Sequence, residues 1–137
     1  MIPAKDQTLK INSHPQSLRL VERLVEDVSQ IYNLNEDCYG NMLIAVTEAV
    51  NNAIFHGNKN NPDKLIKIGF EVNDGQLVFS VSDEGPGFDY QSLPDPTDPN
   101  NVDKLNGRGV FLMTSLSDSI KFDNNGAKVS IGFKHHA

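Results

Sequence analysis

The sequence lacks several features that mark common protein classes. Its single cysteine, Cys38, excludes an internal disulfide and a cysteine zinc cluster. No apolar run approaches the roughly 20 residues that a membrane-spanning helix requires. The first residues, MIPAKDQTLKI, also lack the charged-then-apolar layout of a signal peptide. We therefore expect a cytoplasmic protein with no membrane contact.

Basic surface signals are equally scarce. The formal net charge is −6, and no basic stripe with interleaved aromatic residues is visible, so direct nucleic-acid binding is disfavoured. The length of 137 residues predicts one domain over residues 1–137. A chain of this length buries roughly two-thirds of its unfolded surface, which suffices for a hydrophobic core without covalent cross-links.

Three familiar catalytic or nucleotide-binding motifs are also missing from the chain. There is no G-x-x-x-x-G-K-[ST] phosphate loop, and no G-x-G-x-x-G follows a predicted strand. No G-x-S-x-G sequence suggests the nucleophile turn of a hydrolase. Any nucleotide site must therefore be built from other elements.

Apolar periodicity predicts the element order β-α-α-β-β-loop-α-β-β. A short strand at 7–11 precedes a helix for which Ser13 is the predicted N-cap. Asn35, followed by two acidic residues, predicts the cap of a second helix that runs to about His56.

The second half of the chain predicts mainly strands. Two turn sequences, Asn73-Asp74-Gly75 and Asn124-Asn125-Gly126, indicate β-hairpins. Residues 89–104 are rich in proline and aspartate and predict a long loop, which is usually functional or disordered. Residues 110–116 predict a third helix. The predicted fold is an α/β (α+β) two-layer sandwich, with a mixed, largely antiparallel sheet and helices on one face.

The most informative stretch is EAVNNAIFHGN, Glu48–Asn58, which we call the first motif. Glu48 and Asn52 are four residues apart and project from the same helix face. Carboxylate and amide oxygens are suitable ligands for Mg²⁺, and Glu48 is also a candidate general base. Taken alone, the pattern fits equally well a capped surface helix with a polar stripe.

The second motif is SDEGPGF, Ser82–Phe88, at the predicted end of a strand. Adenine requires an acceptor for its amino group, and Asp83 supplies one. Gly85 and Gly87 leave room beside it for a flat ring. A simple turn is the alternative interpretation of this motif by itself.

The third motif is NGRGVFLM, Asn106–Met113, which follows the long loop. Gly107 and Gly109 flank the predicted start of the helix at Val110. Phosphates bind backbone N–H groups at helix N-termini when no side chain obstructs them. Arg108 either reaches a phosphate or is an exposed arginine at a helix start. These residues are the candidates for phosphate binding.

Together, in this order, the three motifs resemble those of the GHKL ATPases. The first motif resembles their asparagine box, the second their D-x-G-x-G box, and the third their second glycine box. The E-A-V-x-N-A-I-x-H-G form resembles the stand-alone anti-sigma-factor serine kinases of bacteria. The resemblance implies the same fold, use of ATP and Mg²⁺, sequestration of a sigma factor, phosphorylation of a serine on a small antagonist protein, and a homodimer.

The resemblance also implies residue roles. Glu48 matches the catalytic carboxylate, Asn52 the magnesium ligand, and Asp83 the aspartate that reads the adenine amino group. The glycines beside the base and the phosphates are matched by Gly85, Gly87, Gly107 and Gly109. The segment 89–105 resembles the ATP lid in its place and composition. Ala127 departs from the family, which often has threonine there, and this implies a missing hydroxyl near the base.

Two other functions remain open at this stage. A nucleotide-gated binding module without kinase activity needs the same ATP site but no general base, so the presence of Glu48 argues against it. The catalytic domain of a histidine kinase acting in trans is the other alternative. The sequence contains no recognisable helix pair with a phosphoacceptor histidine, which disfavours that alternative.

Overall fold

The structure, a computed structural model, describes residues 7–59, 61–85, 105–123 and 127–134, with the backbone alone at residue 7 and at 105–110. Five strands and three helices account for most of these residues. In chain order they are β1 (Gln7–Asn12), a 3₁₀ turn (Pro15–Ser17), α1 (Leu18–Ile31), α2 (Glu36–Asn52), a π-helical turn (Ala53–Gly57), β2 (Leu65–Asn73), β3 (Gln76–Ser82), α3 (Leu105–Leu116), β4 (Ser119–Asp123) and β5 (Lys128–Lys134).

The five strands form one sheet in the order β1-β2-β3-β5-β4. All four pairings are antiparallel, so the described sheet contains no parallel pair and is not mixed. The first predicted hairpin is confirmed: Asp74 and Gly75 connect β2 to β3 with φ of 50° and 78°, as a type I′ turn requires. The second hairpin signal, Asn124-Asn125-Gly126, lies outside the described residues.

One face of the sheet forms the hydrophobic core with the helices. Alternate strand residues are buried on this face, and Phe79 on the central strand β3 is fully buried. Helix α2 packs against both α1 and α3 and contacts β3 and β5. The predicted sandwich, with helices on one face, is therefore confirmed. Its central helix carries the first motif.

The opposite face of the sheet is polar and contains several lysines. Register pairs Lys10 with Lys67 directly across β1 and β2, although like charges in this position repel. The lysines at positions facing away from the helices are Lys10, Lys67, Lys121, Lys128 and Lys134. They come from four strands that are distant in sequence, so the chain shows no basic stripe even though the folded sheet has a basic face.

Two helix starts differ from the sequence predictions, that of the first helix and that of α3. Ser13 is not an N-cap: His14 caps the 3₁₀ turn by accepting from the Gln16 amide at 3.1 Å, and Ser13 is fully buried. The Ser13 hydroxyl instead accepts from the Asn58 side chain at 2.9 Å, a buried partner that outweighs a local cap. The cap at Asn35 is confirmed, since its Oδ1 accepts from the Cys38 amide at 2.8 Å.

Helix α3 begins at Leu105, earlier than the predicted start at Val110. Gly107 and Gly109 therefore lie inside its first turns and do not flank its start. Glycine disfavours a helix interior by about 1 kcal/mol relative to alanine, and that preference suggested a later start. Packing of α3 against α2 supplies the compensating stabilisation.

Within the described part of the chain, no helix has the length and apolar character that crossing a bilayer requires. The predicted loop at 89–104 and the candidate Gly87 lie outside the described residues.

Replacing Phe79 with alanine should strongly destabilise the protein. Phe79 is fully buried and its ring lies 5.2 Å from that of Phe70, so truncation leaves a cavity at the centre of the sheet. We expect a loss of about 3–5 kcal/mol in the free energy of unfolding, measured by urea denaturation. Phe111→Ala is the matched control, because Phe111 is 43% exposed and should lose far less. Equal losses in the two variants would contradict this placement of the core.

Candidate functional site

The outer face of α2 carries the two polar residues of the first motif. Glu48 and Asn52 are partly exposed, while Ala49, Val50 and Ala53 on the other side of the helix are buried. Neither polar side chain has a hydrogen-bond or ion-pair partner among the described residues. The spacing predicted from the sequence is the spacing in the helix, so the two side chains project from one face of α2.

After Asn52, the last residue of α2, the chain continues directly into the wider π-helical turn at Ala53–Gly57. The Asn58 amide donates to the Ala53 carbonyl at 2.8 Å and closes this wider turn. Single π turns inside or at the end of α-helices occur frequently at functional sites. This turn carries the chain from the polar face of α2 to the end of β3.

The end of the first motif and the start of the second are in direct backbone contact. A Cβ added to Gly85 would overlap the carbonyl oxygen of Gly57. A Cβ added to Gly57 would overlap the carboxylate of Asp83. Neither position can hold a side chain without moving backbone or the aspartate, so the two motifs meet because both residues are glycine.

Asp83 is held at the end of β3 by backbone hydrogen bonds on both sides. Its amide donates to the Ala127 carbonyl at 3.0 Å, and its Oδ1 accepts from the Gly85 amide at 2.7 Å. Burial raises the pKa of Asp83 above its usual value, while the Gly85 hydrogen bond and the positive charge of Lys64 act in the opposite direction. Ala127, the position where the family often has threonine, is thus the immediate neighbour of Asp83.

A buried asparagine that the sequence analysis gave no role connects this region to the rest of the sheet. Asn58 is 1% exposed, and its Oδ1 accepts from the Glu84 amide at 2.8 Å. Its Nδ2 donates to the Ser13 hydroxyl at 2.9 Å and to the Leu65 carbonyl at 3.1 Å. The only sequence signal was its place at the end of the first motif, in a run that composition assigns to a loop.

The third motif lies on α3, which packs against α2. Its backbone at Gly107 and Gly109 belongs to the N-terminal turns of that helix, close to the amide groups that a helix start leaves free. The side chains of Arg108 and Val110 lie outside the described residues, so their predicted role in phosphate binding stays a prediction.

These residues provide the groups that a nucleotide and a divalent cation require. Asp83 offers a partly buried acceptor whose Oδ2 has no hydrogen bond among the described residues. Asn52 and Glu48 offer oxygen ligands, which Mg²⁺ prefers and of which it takes few from protein. No group of three or more His, Cys, Asp or Glu suited to a metal occurs in the described ranges. The donor set fits magnesium held chiefly by phosphate and water, with Asn52 as its protein ligand.

Comparison with known proteins identifies the family of the chain. Residues 11–133 match the family described as the histidine kinase-like ATPase domain. Serine-protein kinase RsbW of Bacillus subtilis is 29% identical over 123 residues, covering 85% of this chain and 77% of the relative. The anti-sigma F factor of Clostridium beijerinckii is 35% identical over 92 residues, covering 64% of each chain.

A solved structure has the same fold. The RsbU and RsbW domains of a Mycobacterium tuberculosis protein align with a TM-score of 0.61 and 15% identity, over 96% of this chain. The alignment spans 33% of that longer chain. The resemblance seen in the three motifs is thus confirmed over nearly the whole sequence, and the chain belongs to the histidine kinase-like ATPase domain family.

Proposed function

We propose that this protein is an Mg²⁺- and ATP-dependent protein-serine kinase that acts as an anti-sigma factor. It phosphorylates a serine of a small antagonist protein and sequesters a sigma factor or a similar regulator. One observation carries the proposal: the contact between Gly57 and Gly85 brings the helix with Glu48 and Asn52 against the corner that holds Asp83. We infer that the base-reading acceptor Asp83 and the oxygen ligands Glu48 and Asn52 contribute to one site.

In this proposal, the adenine lies against the second motif. Its amino group donates to Asp83, and Gly87 leaves space for the ring, while Gly85 permits the close contact with Gly57 at this corner. The phosphates extend toward the start of α3, where backbone amides stabilise negative charge. The candidate residues on that side are Gly107, Arg108, Gly109 and Val110.

The polar face of α2 supplies the chemistry. Mg²⁺, when bound, would supply neutralisation of the charge that develops on the phosphates. Asn52 would hold the ion through its side-chain oxygen. Glu48 would accept the proton of the substrate serine hydroxyl while the serine oxygen bonds to the γ-phosphorus and ADP leaves with the bridging oxygen.

The relatives support the regulatory part of the proposal. Two are named serine-protein kinase RsbW and anti-sigma F factor, so kinase activity and control of a sigma factor occur in proteins that align with most of this chain.

We further propose a cytoplasmic, single-domain protein that forms a homodimer and does not bind nucleic acid directly. Sedimentation of the purified chain would test the dimer.

A nucleotide-gated module without kinase activity is the alternative. It would use Asp83, the glycines and Asn52 in the same way, but it would have no use for Glu48. No feature of the described residues favours it over the kinase.

Transfer of labelled phosphate from ATP to a candidate antagonist protein tests the proposed activity. Glu48→Ala should reduce transfer by about 10²–10⁴-fold, the usual contribution of a general base, and keep ATP binding. Glu36→Ala is the matched control, since Glu36 lies on the same helix but in its first turn, away from Asn52, and transfer should stay near wild type. Normal transfer by the Glu48 variant would remove Glu48 from the catalytic role.

Asp83→Asn should weaken ATP binding. The amide can present a donor to the adenine amino group, and the unpaired polar groups should cost about 1–3 kcal/mol of binding free energy. Isothermal titration calorimetry with Mg-ATP measures this directly. An unchanged dissociation constant would show that Asp83 does not contact the base.

The same substitution should not destabilise the ligand-free protein at pH 7. Burial raises the folded-state pKa of Asp83. The stability contributed by this group is therefore complete below its unfolded pKa and is lost as pH rises through its folded pKa. At pH 7 the asparagine variant avoids this unfavourable ionisation. The stability of wild type relative to the variant should increase as pH falls through the folded-state pKa of Asp83 and the carboxylate becomes protonated. Thermal unfolding of both proteins across this pH range measures the difference. A variant that is less stable than wild type at pH 7 would contradict the account.

A further inference from the structure

We propose that Asn58 is a positioning residue of the nucleotide site, which fixes the main chain at Glu84 and so orients Asp83 and Gly85 toward the base. The inference rests on the proposed function in one respect, namely that ATP binds at Asp83. It assigns to the last residue of the first motif a role in the geometry of the second.

Both polar atoms of the Asn58 side chain have hydrogen-bond partners. Its carbonyl oxygen accepts from the Glu84 amide at 2.8 Å, and its amino group donates to Ser13 and Leu65 at 2.9 and 3.1 Å. The residue is 1% exposed, and among the described residues no buried side-chain polar atom lacks a partner. A buried network in which every member is satisfied specifies one arrangement of the groups it connects.

The bond to Glu84 acts at the peptide next to the base-reading residue. Asp83 is tethered on its N-terminal side, where its amide donates to Ala127 at 3.0 Å. The Asn58 side chain accepts from the next amide, that of Glu84. The Gly85 amide in turn donates to Asp83 Oδ1 at 2.7 Å. Without Asn58, the Glu84 amide would lose this hydrogen bond, and among the described residues Glu84 would keep only the bond that its own carboxylate accepts from the Leu65 amide. The Asp83–Glu84 peptide would then be held less firmly, and the Asp83 carboxylate would lose part of its fixed direction.

The bond between Asn58 and Ser13 provides a matched control within the same network. Ser13 is fully buried, and its hydroxyl accepts from the Asn58 amino group, whereas Glu84 contacts the Asn58 oxygen. Its own amide donates to the Lys64 carbonyl at 3.0 Å, a bond that loss of the hydroxyl leaves intact. Ser13→Ala therefore weakens the network but retains the Asn58–Glu84 bond, whereas Asn58→Ala removes that bond.

The test compares ATP and GTP affinities of wild type, Asn58→Ala and Ser13→Ala by calorimetry, well below their unfolding temperatures. The ratio of the two affinities reports how well the base is read and does not follow from lower stability alone. We expect both variants to melt earlier than wild type. Asn58→Ala should also lose at least tenfold in ATP affinity and most of its preference for ATP, while Ser13→Ala stays within twofold of wild type in both.

A double variant makes the mechanism explicit. If Asn58 acts through Asp83, Asn58→Ala should change ATP affinity by less than threefold in an Asp83→Asn background. The inference is overturned if Asn58→Ala keeps the wild-type preference for ATP, or if Ser13→Ala loses as much of that preference. An Asn58→Ala effect that is just as large in the Asp83→Asn background would overturn it too. Absence of ATP binding by wild type would instead contradict the proposed function.

If Asn58→Ala does not fold, the Asn58→Asp variant tests the same inference. Aspartate keeps an oxygen that can accept from the Glu84 amide and loses the donor to the Leu65 carbonyl. The inference expects this variant to be less stable than wild type but to retain its preference for ATP over GTP. Loss of that preference while the Glu84 acceptor is kept would contradict it.

Discussion

The site depends on the close approach of two stretches of backbone at Gly57 and Gly85. Neither glycine can be replaced by a larger residue without displacing main chain or the Asp83 carboxylate. This contact joins the end of the helix that carries Glu48 and Asn52 to the end of the strand that carries Asp83. It thus brings two motifs that are separated in sequence next to each other.

The rest of the fold supports this contact from both sides. The fully antiparallel sheet fixes where β3 ends, and its buried face holds α2 at the centre of the helical layer. The π-helical turn then shifts the chain from the outer face of α2 toward the strand end. Asn58 directly follows this turn and contacts Ser13 after β1, Leu65 at the start of β2, and Glu84 after β3. The helix end and the strand end are therefore held by one buried polar side chain.

Much of this was predictable from local sequence patterns. The spacing of Glu48 and Asn52, the cap at Asn35 and the hairpin at Asp74-Gly75 each depend on neighbouring residues and were predicted correctly. The features that were missed depend on partners distant in sequence. Ser13 is a buried partner of Asn58 and not a helix cap, and α3 begins before its glycines because it packs against α2. The lysine face is likewise assembled only by strand register, and no local pattern reveals it.

The most direct test of the central claim is a crystal structure of the protein with Mg²⁺ and a nonhydrolysable ATP analogue. The account predicts the adenine amino group within about 3 Å of an Asp83 carboxylate oxygen, a normal hydrogen-bond length. It also predicts the metal ion on the side-chain oxygen of Asn52, with the γ-phosphate near Glu48. A purine bound away from the Gly57–Gly85 contact, or a metal ion without Asn52 among its ligands, would contradict it.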